Sequence, residues 1–102
     1  MNITQILSEQ LNIDKKNIEN VINLLDDGST VAFIARYRKE KTGNLNDVDI
    51  RNIEKNLNKL RNIENRQEEI ISSLKSQDKL SDELKERILS ANSLTILEDI
   101  YA

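Results

Sequence analysis

The chain has 102 residues, with 15 Lys and Arg against 18 Asp and Glu, and no histidine, cysteine or proline. That length encloses one modest hydrophobic core. The missing residue types exclude disulfides, thiolate nucleophiles, Cys/His zinc sites and a histidine general base. A net charge of −3 is not the strongly basic field of a dedicated nucleic-acid binder.

Only Gly28 and Gly43 soften the backbone. Glycine costs about 1 and proline about 3 kcal/mol inside a helix, so their scarcity leaves helices uninterrupted. The isoleucines recur at helical spacing and do not alternate, so the expected fold class is all-α. The arrangement to expect is an irregular bundle of about five or six helices organised around one long helix. No stretch is apolar enough for a signal peptide or a membrane span. A cysteine-free chain fits the cytoplasm, which is the expected location, and no membrane partner is expected.

Ile3, Ile6, Leu7 and Leu11 mark one face of a short first helix. Asp14 is a strong N-cap for the second, about 14–27, with Ile13 and Ile18 placed as a hydrophobic staple and Gly28 as its left-handed stop. Ser29 or Thr30 then caps VAFIARY. That run is short enough to be a buried strand, but nothing else in the chain would pair with it, so a helix up to the Gly43 turn is expected. Its buried face would be Phe33, Ile34 and Tyr37, with Arg36, Lys39 and Glu40 turned outward.

Asn46 or Asp47 opens the longest element. Ile50, Ile53, Leu57 and Leu60 repeat at 3-4-3, and Ile63, Ile70, Ile71 and Leu74 continue after a change of phase around the polar stretch Glu64–Glu68. The product is one helix of about 47–76, roughly 45 Å long. Its first half would pack on helices one to three and its second half on the helices nearer the C-terminus. Ser81 starts the next helix, with Leu84, Ile88 and Leu89 inward, and Asn92-Ser93 caps a last one through Leu97, Ile100 and Tyr101. The domain reading is a single helical module, 1–102. Its parts are a lobe of 1–45 compatible with a helix-turn-helix, the long helix in 46–77, and two short helices in 78–102. The pattern stops at Ala102 while still apolar and uncapped, as in a piece of a longer protein.

Asp27-Gly28-Ser29-Thr30-Val31-Ala32-Phe33-Ile34-Ala35-Arg36-Tyr37-Arg38-Lys39-Glu40, followed by Thr42-Gly43, resembles the DEGATVPFIARYRKE.TG signature of the Tex family of bacterial transcription accessory proteins. Leu45 with Asp47 is similar to the family's GLDD. Leu60-Arg61-Asn62-Ile63-Glu64 with Arg66 is similar to its LRELEERR, Lys79–Leu84 to its KLTPEL, and Leu97–Tyr101 to its LEDLY. Ala32 and Asp82 stand where the family commonly has proline, and both positions suit helix starts. The resemblance implies the N-terminal helical region of a much longer protein. In the family, a basic PYKPKRRT stretch, an RNase-H-like domain, a helix-hairpin-helix segment and an RNA-binding OB-fold come after this region. It therefore implies RNA or DNA as a partner, mainly through those downstream domains, and proteins of the transcription machinery as further candidates.

Two basic features are candidate nucleic-acid contacts. Arg36, Arg38, Lys39 and Lys41 give a net +3 over six residues, enough for local phosphate contact. The competing reading is internal pairing with acidic helix ends such as Glu98-Asp99, and the modest footprint favours it. Arg36, between apolar neighbours, reads as the structural member of the set. Arg51, Lys55, Lys59 and Arg66 form a slowly winding stripe along the long helix, which either tracks a polyanion or is ordinary surface charge with Asp47–Arg51 as a supporting i,i+4 pair. The aromatics Phe33, Tyr37 and Tyr101 read as core. The carboxylate pairs Asp26-Asp27, Asp82-Glu83 and Glu98-Asp99 point about 100° apart on a helix, which is wrong for joint chelation, so no metal is expected. Without a Gly-rich phosphate loop or a nucleophile–base pair, neither catalysis, a cofactor nor a small-molecule substrate is expected. The function to expect is a non-catalytic helical scaffold that binds nucleic acid weakly at most on its own. The alternative is a protein–protein or interdomain module using the long helix and the apolar C-terminal segment.

Overall fold

Seven helices and no strand make up the computed structural model, which describes residues 1–102. The all-α expectation holds. The extra helix comes from one unforeseen break. The residues fall into two compact units, Asn2–Lys59 and Leu60–Ala102, the latter with Met1.

In the first unit, α1 (Ile3–Leu11) is capped by Asn2, whose side chain accepts from the Gln5 amide, and ends on Asn12 in the left-handed region. α2 (Lys15–Asp26) starts at Asp14, whose carboxylate accepts from the Lys16 amide at 2.8 Å. It closes on Gly28 at φ +95. There the Ser29 amide reaches back to the Leu24 carbonyl and the Gly28 amide to that of Leu25. This six-to-one and five-to-two pairing satisfies the orphan carbonyls of the last turn.

Thr30 caps α3 (Val31–Tyr37), accepting from the Phe33 amide. The helix expected to run on to Gly43 instead breaks at Arg38 (φ −126, ψ 34) and restarts as α4 (Lys39–Thr42). No residue at the break is a poor helix former, so local propensity does not cause it. The seat of α4 on α2 does. Asn20 Nδ2 donates to the Lys41 carbonyl at 2.7 Å, Thr42 is fully buried and accepts from the Leu45 amide, and Gly43 (φ +70) lies against Asn17. Gly43 at φ +70 adopts a backbone that other residues rarely take, and a Cβ there would stand 2.5 Å from Asn17 Nδ2 and force that side chain to move.

The long helix α5 (Asp47–Ser76) begins with a reciprocal cap. Asn46 Oδ1 accepts from the Asp49 amide at 2.8 Å, and Asp49 Oδ2 accepts from that of Asn46. Its buried positions up to Lys59 are Ile50, Ile53 and Leu57, which join Leu7, Ile18, Val21 and Ile34 as the core of the first unit. From Leu60 onward they are Leu60, Ile63, Gln67 and Ile70. The change of phase is the pair of consecutive three-residue steps from Leu57 to Ile63.

The second unit adds α6 (Asp82–Ser90), capped by Ser81, and α7 (Leu94–Tyr101), capped by Ser93. α5 ends with Asp78 in the left-handed region, where the Lys79 amide bonds the Leu74 carbonyl. Ile88, Ala91 and Leu97 complete the core of this unit. Leu89 does not join it as expected but stands 52 % exposed, because Ile88 alone takes the inward position of that turn. No helix is long and apolar enough to cross a membrane.

Candidate nucleic-acid interface

α3 buries one side chain completely. Ile34, at the centre of VAFIARY, is fully buried and is the residue that seats the helix. Phe33 and Tyr37, four residues apart, share an adjacent face and are 40 % and 55 % exposed. The expectation that they are core is therefore corrected. Neighbouring elements cover the side of α3 that carries Ile34 and leave the side that carries Phe33 and Tyr37 open.

The two rings pack on each other with centroids 5.2 Å apart and planes inclined by 48°. The guanidinium of Arg38 lies 5.3 Å from the Phe33 ring and that of Arg36 lies 5.5 Å from the Tyr37 ring. Both are in the range where a cation is drawn to the ring face. Arg36 is exposed, so it is not the structural member of the basic set. Arg38, half-buried, has only a long contact of 4.0 Å to Glu40, and no ion pair holds Arg36, Lys39 or Lys41. Between α3 and the start of α5, Ala32 and Ala35 floor a shallow concavity walled by Arg36, Lys39, Asn46 and Asp47.

The stripe along α5 divides. Arg51 pairs loosely with Asp47 at 3.8 Å, the i,i+4 arrangement expected, and Lys55 and Lys59 are exposed without an ion pair. Arg66 is committed. Its Nε and Nη2 donate to the two carboxylate oxygens of Glu98 at 2.6 and 3.1 Å, its Nη1 donates to Glu69 at 3.0 Å, and its guanidinium lies 5.5 Å from the Tyr101 ring. The hydrogen bonds from Arg66 hold the Glu98 carboxyl below its usual range, and those to Glu98 and then Glu69 raise the guanidinium further above its own. Glu98 is thus engaged by Arg66.

Sequence reasoning missed Gln67. It is 2 % exposed, and its Nε2 donates to the carbonyls of Ile88, Leu89 and Ala91 at 3.1, 3.3 and 3.2 Å. These carbonyls lie at the end of α6 or just beyond it, so one amide does the work of a C-cap. The signal was present: Ile63, Gln67 and Ile70 keep the 3-4 spacing, with glutamine in a core register.

Residues 1–75 match the family described as the Tex-like protein N-terminal domain. The chain is 48% identical over 101 residues to the transcriptional accessory protein Tex of Neisseria gonorrhoeae, covering 99% of this chain and 13% of that protein. It is 42% identical over 97 residues to protein YhgF of Escherichia coli, covering 95% and 12%. It is 33% identical over 100 residues to human S1 RNA-binding domain-containing protein 1, covering 98% and 10%. The chain thus spans about an eighth of the length of these bacterial relatives.

Proposed function

The chain belongs to the Tex-like family and carries its N-terminal domain, and on that premise we propose a non-catalytic helical scaffold that adds a weak nucleic-acid contact through α3 and α4. One observation carries this reading. Four cations, Arg36, Arg38, Lys39 and Lys41, share an exposed segment with a single carboxylate, and none has a close ion-pair partner. Arg51, Lys55 and Lys59 are secondary candidates along α5, while Arg66 is compensated by Glu98 and Glu69. The main nucleic-acid binding is assigned to the rest of the full-length protein, since a human relative is named for an S1 RNA-binding domain and this chain covers 10% of it.

Fluorescence anisotropy with labelled RNA and duplex DNA in a salt series tests the reading. The expected result is roughly micromolar affinity that falls steeply with salt, and is lost in Arg36→Ala/Arg38→Ala/Lys39→Ala. Absence of binding at low salt sinks it.

A second reading rests on a different surface. Leu89, Leu94 and Ile96 on α6 and α7 are 52 %, 46 % and 44 % exposed, an apolar edge suited to another domain or a transcription-machinery protein. Sedimentation across a concentration series would expose self-association through it.

A further inference from the structure

We infer that the Phe33–Tyr37 face of α3 takes unpaired bases, making the contact a site for single-stranded nucleic acid and not for duplex. The inference rests on the polyanion reading above and deepens it. Two exposed aromatic rings beside four weakly paired cations supply both things a single strand offers, π-faces and phosphates. Arg36 and Arg38, which lie 5.5 and 5.3 Å from the Tyr37 and Phe33 rings, are placed to meet the phosphates of a strand whose bases stack on those rings.

Duplex geometry does not suit the site. Paired bases are stacked inside the helix and present only their edges, so rings lying on a seven-residue surface helix cannot reach a base face without opening the pair. A protein occupant would cover the rings, but it would also have to neutralise cations that have no carboxylate of their own in close contact. A nucleic-acid strand does both at once.

The ring geometry sets the footprint. Planes inclined by 48° at 5.2 Å cannot sandwich one base or form a continuous platform. Each ring therefore takes a separate base, and the strand is splayed where it crosses α3. Beside Phe33 there is room for a base edge: Asp27, Gly28, Ser29 and Thr30 line a shallow concavity with it, and a Cβ built on Gly28 would meet nothing within 4 Å.

The experiment is an anisotropy titration of the 102-residue chain against an oligouridylate, an oligothymidylate and a duplex RNA of the same length. Variants are Phe33→Ala/Tyr37→Ala and Phe33→Tyr/Tyr37→Phe, with circular dichroism confirming unchanged helicity, as expected for exposed rings. Single strands should bind more tightly than duplex. Removing both rings should weaken them at least about tenfold while leaving the salt slope unchanged, and the aromatic exchange should retain binding. The two single strands separate RNA from DNA as the source of the bases. Equal binding of duplex, or no loss in the double alanine variant, overturns the single-strand inference while the phosphate contact stands. If no nucleic acid binds, or binding ignores Arg36→Ala/Arg38→Ala/Lys39→Ala, both fall.

Discussion

In Asn2–Lys59 the guanidinium of Arg38 lies 5.3 Å from the ring of Phe33, and in Leu60–Ala102 that of Arg66 lies 5.5 Å from the ring of Tyr101. The residue types and distances are nearly the same, and the outcomes are opposite. Arg66 is closed in by two carboxylates, and the Tyr101 hydroxyl shares a hydrogen bond of 2.7 Å with Ser73. Arg38 and Arg36 meet no carboxylate closer than 4.0 Å, and their rings face solvent. An arginine–aromatic pair is therefore neither a binding site nor a structural clamp by itself. The neighbouring carboxylate decides, because an exposed cation with its charge already compensated gains little from a phosphate.

The sharpest way to break the closed region is at Gln67. Gln67→Glu would set a carboxylate against three carbonyl oxygens in a buried position, with an expected loss of about 3 kcal/mol in denaturant unfolding. Gln67→Leu removes the donor but keeps the apolar seam, and should lose less, about 1–2 kcal/mol. Equal midpoints for all three proteins would show that the end of α6 does not depend on this amide.

The comparison itself is sharpened by salt. Each of Arg36→Ala, Arg38→Ala and Lys39→Ala alone should reduce the slope of log affinity against log salt by about 1, the share of one cation that meets a phosphate. Arg66→Ala should leave that slope unchanged and lower the melting temperature instead. A matching change in slope for Arg66→Ala would erase the distinction between the two clusters.

The Arg66–Glu98 pair should also leave a pH signature. Glu98 titrates lower in the folded state, so its contribution is present above the unfolded pKa and fades as pH falls through the folded one. The difference in melting temperature between wild type and Glu98→Gln should therefore be full near neutral pH. It should shrink once pH drops below the ordinary glutamate value of about 4.3. A difference constant across that range would remove the ion pair as its cause. The smallest effect is expected at Asp78, which ends α5 with φ +57. Asp78→Gly should stabilise by about 0.5 kcal/mol in thermal unfolding, since glycine enters that region freely.

Much of the fold could be read directly from the residues. Asp14, Thr30, Asn46, Ser81 and Ser93 cap the helices they precede, and Gly28 closes α2. These are local hydrogen bonds between a side chain and a backbone a few residues away, so the sequence specifies both partners. The candidate interface was half legible. Its cations were visible as a charge run, but its rings were hidden, because a period of three or four identifies a face without saying whether a neighbour covers it. Gln67 was hidden for the opposite reason: a polar residue in a core register reads as a flaw until the carbonyls beyond α6 are seen converging on it.

By itself the sequence determined the all-α class, nearly every helix boundary and the segment carrying the family signature. Those depend on propensity, capping and periodicity, which act over one or two turns. Tertiary structure decided three things: the break at Arg38, forced by the seat of Thr42 and Gly43 on α2; the exposure of Phe33 and Tyr37; and the commitment of Arg66 to Glu98, 32 residues away. Each depends on contacts between residues far apart in the chain. Periodicity can place a side chain on a helix face but cannot name what stands opposite it.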